Sequence, residues 1–408
     1  MKKFMIISAV LIIIAGAVFS FSLYHYFDVK NNEATADQVM PQNTDDKKED
    51  KKEENLDAEV PAEFQDGGIF SQNYDKAYKD TLAMTNEQMV AQLIIGTCPT
   101  DGSAGSKLDK VALGGYYFTA DNFTSLSKEQ IKEELASYQK KSDVEMILAV
   151  EEEGGAVTAL SDLDAFPDED FYSPREIFAE KGLSGLQDSE TQKAQMLSSV
   201  GINLNLAPVC DMAEDFTQIM YSRSLGGTPQ ETSQYVKHTT QISQSKGVSV
   251  ALKHFPGYGT IPDTYLPVVT DDREASTFES RDFLPFKAGI DSGAHCVLMS
   301  NILSTELDPN CIASLSDYTH TILRNELKFT GLIITDNLNN ADYSEYANGK
   351  DIYVQAILAG NDMIMVDDID SAYNAILKAV NDGTIKKETV QKACMRVLAY
   401  KYTAKIIK

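Results

Sequence analysis

The sequence of 408 residues has no tryptophan, only five histidines and five cysteines, and far fewer basic than acidic residues. The 36 lysines and arginines against 61 aspartates and glutamates give a formal net charge of −25, and such a surface repels the phosphate backbone of nucleic acids. The cysteines lie far apart and form no C-x-x-C pair, which argues against a disulfide framework or a zinc site. No two histidines are spaced as a ligand pair, so nothing indicates a metal ion or another cofactor.

Long apolar runs are absent too, except at the amino terminus. Lys2 and Lys3 precede an apolar stretch at residues 4–23, and about 20 helical residues span a hydrocarbon core of about 30 Å. The leading lysines favour a membrane anchor within residues 1–28, with the rest of the chain outside the cytoplasm. A cleaved signal peptide is the alternative, because residues 15–17 resemble a small-residue cleavage site and cleavage would release a secreted protein.

The composition changes after the apolar stretch. Residues 29–79 include the run DDKKEDKKEE at residues 45–54, which has nothing to bury. They are predicted to form a disordered, charged linker that could hold a folded domain away from a membrane. The folded domain is predicted at residues 80–408.

This domain alternates short apolar runs with amphipathic helical patterns. The runs are four or five residues long and nearly continuous, as expected of parallel strands buried on both faces. Seven can be placed and an eighth is ambiguous; the seven are residues 114–118, 146–150, 202–206, 248–252, 296–299, 332–335 and 362–365. The count, together with the lack of a G-x-G-x-x-G turn, favours an α/β fold of the (β/α)8 TIM-barrel type over a doubly wound sheet.

Helical patterns fill the intervals between the predicted strands. Thr85 is predicted to cap a helix that runs through residues 89–94. Further helices are predicted at residues 127–141, 229–246 and 316–327.

Polar residues cluster just after the predicted strands. Glu151, Asp211, Asp336 and the pair Lys253 and His254 each follow a different apolar run. The carboxyl ends of parallel strands converge on one mouth of a barrel, where active sites form. The sequence therefore predicts a functional site at this mouth.

The heptapeptide KHFPGYG at residues 253–259 resembles the KHFPG(H/Y)G segment of glycoside hydrolase family 3, in particular its β-N-acetylglucosaminidases. Other segments resemble motifs of the family in the same order. They are EEEGG at residues 151–155, GINLNLAPVCD at 201–211, SRSLG at 222–226, ASLS at 313–316 and GLIITDN at 331–337. The resemblance covers roughly residues 80–405 and implies an eight-stranded barrel without the second, sandwich domain of many members.

The resemblance also implies roles for individual residues. Asp336 would be the nucleophile of a retaining glycosidase, which attacks the anomeric carbon and forms a glycosyl-enzyme without a metal. The residues expected to bind the sugar are Glu151, Arg223, Lys253 and His254. The alternatives are structural: a helix cap for Asp336, an ion pair with Asp211 for Arg223, and a buried core histidine for His254.

One departure from the family pattern bears on activity. In the family's glucosaminidases the acid/base is a histidine in a D-(S/T)-H triplet, whereas this chain reads Asp263-Thr264-Tyr265. A phenol titrates near pH 10, and general acid–base help is worth roughly 10²–10⁴-fold, so a slow enzyme or none is expected. Two weaker departures are Glu151 where the family has aspartate and Ala156 where arginine usually follows the two glycines.

Three functions therefore remain open. The first is a β-N-acetylhexosaminidase in which Tyr265, Asp263 or another loop carboxylate supplies the proton, and its expected substrates are glycans of the cell-wall peptidoglycan. The second is a membrane-tethered module that binds an amino sugar or the cell wall without hydrolysing it. The third is a barrel that keeps Asp336 but uses activated donors or a nucleophile other than water. A carbohydrate is the ligand in all three, and the sequence gives no oligomeric state.

Overall fold

The computed structural model describes residues 59–167, 170–262 and 268–408. The predicted anchor or signal peptide at residues 1–28 lies outside these ranges, as does most of the predicted linker. Within the described ranges, no helix combines the length and the apolar character needed to cross a membrane.

Eight parallel strands form a nearly closed barrel, as the sequence predicted. The strands are β1 (Ile94–Thr97), β2 (Gly115–Phe118), β3 (Ile147–Val150), β4 (Leu204–Asn205), β5 (Ser249–Phe255), β7 (Cys296–Met299), β9 (Leu332–Thr335) and β10 (Ile364–Val366). Their order around the barrel is β10-β1-β2-β3-β4-β5-β7-β9, and a bridge between Ile334 and Met363 links the two outer strands. A small parallel pair, β6 (Thr270–Asp271) and β8 (Leu303–Ser304), lies outside the barrel sheet.

Two strand assignments differ from the prediction. The ambiguous eighth strand is β1, whose first residue, Ile94, had been assigned to the preceding helix. That helix ends at Gln92, and β1 begins two residues later. The sequence does not reveal this boundary, because the apolar run of β1 continues the helical pattern without a break. The second difference is that Lys253 and His254 lie within β5 rather than after it.

Helices surround the strands. They are α1 (Tyr74–Leu82), α2 (Asn86–Gln92), α3 (Ala104–Leu108), α4 (Lys128–Lys141), α5 (Pro174–Val200), α6 (Pro229–Ser245), α7 (Ala275–Thr277), α8 (Phe283–Asp291), α9 (Asp317–Thr321), α10 (Ile352–Ala359), α11 (Ile369–Asn381) and α12 (Lys387–Thr403). The helix predicted at residues 316–327 begins as α9 and continues as a π-helical turn, Ile322–Glu326.

Capping boxes fix several of these helix starts. Thr85, Ser127, Ser173 and Thr228 each accept a hydrogen bond from the backbone of the third helical residue, whose Gln or Glu side chain bonds back to the cap. Two donors that would otherwise lack partners are satisfied at each start. The starts at Ser127 and Thr228 agree with the predicted helices.

Ordered structure begins ahead of residue 80, where the sequence placed the start of the domain. Phe64, Phe70 and Tyr74 are buried in the main apolar core, and α1 packs against α12. The aromatic side chains in this segment explain the difference, because they supply apolar surface that the charged run at residues 45–54 lacks.

Candidate active site

Lys253 lies at the centre of the site, on β5. Its side chain is 0% exposed, and its ammonium is 2.7 Å from Glu151 Oε1 and 2.5 Å from Glu153 Oε1. Burial alone would lower the pKa of Lys253, but the two carboxylates outweigh burial and raise it. The ammonium is therefore held charged and links β5 to the loop that follows β3.

Glu153 is shared between two cations. Arg223 donates to it from Nε (3.0 Å) and Nη2 (2.6 Å), a forked contact that fixes the guanidinium plane. Burial raises the pKa of Glu153, but Lys253 and Arg223 reverse that effect and lower it to about 2. Arg223 thus forms its ion pair with Glu153, and the alternative pairing with Asp211 is not observed.

Asp211 instead holds His254. Asp211 Oδ2 is 2.7 Å from His254 Nδ1 and also accepts the backbone N–H of His254 at 3.1 Å. Its Oδ1 accepts the backbone N–H of Tyr258 at 2.7 Å. A proton on Nδ1 suits this arrangement, because Nε2 faces the donor-only Arg223 Nη2 at 3.4 Å. His254 is buried, as expected of a core histidine, yet it also contacts Arg223.

Asp336 follows β9 directly. Its backbone N–H donates to the carbonyl of Met299 (2.7 Å), and its Oδ1 accepts the N–H of Asn337 (2.7 Å). None of the ion pairs formed within the described ranges involves Asp336. It differs in this respect from Glu151 and Glu153.

Two tyrosines, Tyr117 and Tyr258, contact other residues of the mouth and are also affected by the charge of Asp336. The Tyr117 hydroxyl donates to Glu151 Oε2 at 3.1 Å, and the Tyr258 ring packs edge-on against His254 with centroids 5.3 Å apart. Burial raises the pKa of both phenols; Glu151 and then Asp336 raise that of Tyr117 further, and Asp336 raises that of Tyr258 further. Asp336 therefore acts electrostatically on side chains that contact the Glu151–Lys253 pair and the His254–Asp211 pair.

The remaining two predicted site residues, Asp263 and Tyr265, lie outside the described residues, and their roles stay predictions. Two further residues take part in the network: Glu153, which the sequence places after a strand without giving it a role, and Tyr117, which sequence reasoning missed. Glu153 had a signal in the EEEGG motif, but a run of three glutamates does not reveal which of them face the mouth. Tyr117 had none beyond its place in a predicted strand.

The middle glutamate of the run has a different task. Glu152 is buried and accepts backbone N–H groups of Ala159 (3.0 Å) and Leu160 (2.8 Å), as well as the Ser161 hydroxyl (2.6 Å). It organises the following loop, whereas Glu151 and Glu153 contact Lys253.

The fold and the mouth together define a class of protein. An eight-stranded parallel barrel with carboxylates and charged hydrogen-bond donors at the carboxyl ends of its strands has the architecture of a barrel enzyme. Rigid charged donors beside carboxylates suit a ligand that carries many hydroxyl groups.

The family follows from comparison with known proteins. Residues 85–400 match the model of the glycosyl hydrolase family 3 N-terminal domain. The chain belongs to glycoside hydrolase family 3 and is an enzyme of the glycosidase type.

Individual relatives agree with this assignment. The chain is 29% identical over 288 residues to a β-hexosaminidase of Xanthomonas campestris, an alignment that covers 67% of this chain and 83% of that enzyme. Its fold is similar to that of a family 3 β-N-acetylglucosaminidase from a Paenibacillus species, with a TM-score of 0.72 and 24% identity, over 79% of this chain but only 63% of that one. A β-N-acetylhexosaminidase from Beutenbergia cavernae gives a TM-score of 0.66 and 23% identity, over 78% of this chain and 99% of that one.

Proposed function

We propose that the protein is a retaining glycosidase that hydrolyses terminal β-N-acetylglucosaminides. The observation that carries the proposal is the contrast at the mouth between Asp336, which enters no ion pair within the described ranges, and the paired donors Lys253, Arg223 and His254. The β-hexosaminidase relatives support the choice of sugar.

Asp336 acts as the nucleophile. Its carboxylate oxygen attacks the anomeric carbon while the bond from that carbon to the leaving oxygen breaks, and the leaving oxygen takes up a proton. Water then attacks the same carbon, loses a proton and releases Asp336. Asp263 and Tyr265 are the candidates for the proton transfer in both steps.

Lys253, Arg223 and His254 hold the sugar, and Glu151 accepts from one of its hydroxyl groups. Glu153 keeps the ammonium of Lys253 and the guanidinium of Arg223 in fixed positions, so that little side-chain entropy is lost when a ligand binds. Positions fixed before binding are what orientation of a substrate requires.

The cellular location of the protein is part of the same proposal. Residues 1–28 anchor the chain in the cell membrane or act as a cleaved signal, residues after them form a charged tether, and the barrel lies outside the cytoplasm. A glycan derived from the cell wall is then the nearby substrate. The alternative is a tethered module that binds the sugar without hydrolysis, and it is favoured by tyrosine at position 265.

An assay with an aryl β-N-acetylglucosaminide tests the proposal on three chains: wild type, Asp336→Asn and Tyr265→His. We expect weak turnover by the wild type, none by Asp336→Asn, and a gain by Tyr265→His because an imidazole titrates near neutral pH. A fast wild type with a slower Tyr265→His variant would contradict the impaired acid/base. Sugar binding in calorimetry without turnover by any chain would support the binding module instead.

A further inference from the structure

Two exposed aromatic side chains lie on adjoining loops at the barrel mouth. Phe216 is 79% exposed, on the loop after β4, and Tyr172 is 56% exposed, on the loop after β3. An apolar ring left in water is unfavourable, and an aromatic side chain is a large apolar surface for a ligand. We call Tyr172 and Phe216 the aromatic rim.

Tyr172 adjoins the buried ion pairs through the two glycines of EEEGG. Gly155 donates its N–H to the carbonyl of Phe171 at 2.7 Å. Gly154, next to Glu153, runs so close to this segment that an added Cβ would lie 2.5 Å from the carbonyl oxygen of Tyr172. The backbone of Tyr172 therefore lies against the residue that follows Glu153.

Phe216 lies at the tip of a structured turn. The loop leaves the barrel at Asp211, which binds His254, and returns at Arg223, which binds Glu153. Asp215 Oδ1 accepts the Thr217 N–H (2.9 Å) and hydroxyl (2.6 Å), on either side of Phe216 in the same turn. The hydrogen bonds hold the turn in one conformation while its apolar side chain remains in solvent.

Arg175 connects the two loops. It follows Tyr172 by three residues and donates from Nε to the carbonyl of Tyr221 (2.8 Å) and from Nη2 to that of Ala213 (2.7 Å). Its guanidinium also stacks on the Tyr221 ring, 3.9 Å from the centroid. These contacts join the segment that carries Tyr172 to both sides of the loop that carries Phe216.

We propose that the aromatic rim binds the sugar units on the leaving-group side of the cleaved bond, so that the substrate is an oligosaccharide rather than a glycoside with a small aglycone. The C–H face of a pyranose ring is apolar and packs on an aromatic ring, while its hydroxyl groups remain hydrated at the edge. The proposal rests on the proposed function, since it extends the same site outward from the sugar that Lys253 and Arg223 hold.

Calorimetry with N-acetylglucosamine and N,N′,N″-triacetylchitotriose tests the rim, using the full chain that carries Asp336→Asn so that the trisaccharide stays intact. We expect the trisaccharide to bind at least about tenfold more tightly than the monosaccharide. Adding Phe216→Ala or Tyr172→Ala should remove most of this preference and leave monosaccharide binding within about twofold. Tyr318→Ala is the matched control, because Tyr318 is 51% exposed on α9 and should leave both affinities unchanged.

Each outcome separates the rim from the site behind it. Monosaccharide binding without a preference for the trisaccharide, or a preference that survives both rim substitutions, overturns the rim and leaves the proposed function standing. Binding of neither sugar overturns both. If Asp336→Asn does not fold, the wild-type background serves, with kcat/KM for the trisaccharide expected to fall about tenfold in the rim variants and kcat/KM for N-acetylglucosaminyl fluoride expected to stay unchanged.

Discussion

The barrel has a buried carboxylate between two cations at each of its ends. At the mouth, Glu153 lies between Lys253 (2.5 Å) and Arg223 (2.6 Å). At the amino end, where the chain enters β10, Asp362 lies between Arg396 (2.5 Å) and Arg324 (2.6 Å). The two arrangements have the same charges at the same distances, yet their surroundings differ.

The difference lies in the remaining contacts of the cations. Arg324 also donates to the carbonyls of Phe329 (3.1 Å) and Gly331 (2.6 Å), and Arg396 also pairs with Asp66 (3.3 Å). Exposure does not separate the two ends, since Arg223 (24%) and Glu151 (28%) at the mouth match Arg324 (21%) and Asp66 (28%). Among the described residues, however, the Arg223 side chain donates to no backbone carbonyl. Similar ion pairs can therefore serve the fold at one end, where backbone carbonyls accept the remaining donors, and a ligand at the other in the proposed function.

Asp362→Asn should have the largest effect on stability. The amide leaves Arg324 without a carboxylate partner and Arg396 with Asp66 alone, and breaking a buried pair in this way costs about 3–5 kcal/mol. Urea denaturation followed by circular dichroism measures the loss, while kcat/KM of the folded fraction should not change. Asp370→Asn is the control, because this exposed partner of Lys107 should matter by less than about 0.5 kcal/mol. A loss below about 1 kcal/mol for Asp362→Asn would contradict a structural role.

Glu153→Gln at the mouth should act chiefly on catalysis. Without the carboxylate, Lys253 and Arg223 lose their common partner and shift from the positions in which we propose that they bind a sugar. Misplacement of about 1 Å can cost about 10²-fold, which is the decrease in kcat/KM that we expect. Steady-state kinetics and urea denaturation on the same sample separate the two effects. Full activity with a stability loss as large as that of Asp362→Asn would make the two ends equivalent.

The sequence predicts which residues lie at the mouth better than it predicts the ion pairs and hydrogen bonds between them. Lys253, His254 and Asp336 could be placed there because each ends an apolar run, and parallel strands bring such ends together. The partner of Arg223 could not be predicted, since a long flexible side chain reaches several carboxylates and only the folded loops decide between Asp211 and Glu153.

The ambiguity of the eighth strand has a different cause. Nothing in the composition of residues 89–97 separates the end of α2 from the start of β1, because both are apolar and neither contains proline. The turn between them is set by tertiary packing, which periodicity along a single segment does not report. The same holds for Glu152, whose partners Ala159, Leu160 and Ser161 lie further along the same loop.

Two fully buried lysines extend the comparison between the ends. Lys253 has its pKa raised by two carboxylates, whereas burial lowers the pKa of Lys401 to about 7, and its Nζ contacts the neutral Gln92 (2.7 Å) just before β1. Between about pH 7 and 10.5 the unfolded chain binds a proton at this lysine that the folded chain does not. The free energy of unfolding should therefore rise with pH in this window, by up to about 1.4 kcal/mol per pH unit from this group.

Lys401→Met should remove that contribution. The variant is expected to show a flatter profile of unfolding free energy between pH 7 and 10, measured by urea denaturation at closely spaced pH values. Lys378→Met is the control, because Lys378 is highly exposed and should leave the slope unchanged. An unchanged slope in Lys401→Met would mean that Lys401 stays charged in the folded protein.

Tyr117→Phe should give the smallest effect and tests how finely the mouth is positioned. Its hydroxyl donates to Glu151 Oε2 while Lys253 holds Oε1, so the pair fixes a side chain one methylene longer than the aspartate of the family pattern. Losing one hydrogen bond to a carboxylate should raise KM about threefold to tenfold with little change in kcat, because in the proposed function Glu151 binds the sugar and takes no part in the bond changes. Tyr116→Phe is the matched control on the same strand, where the hydroxyl bonds to the carbonyl of Ala104 (2.9 Å) and its loss should lower stability without raising KM. Equal KM values for the two variants would show that Lys253 alone orients Glu151.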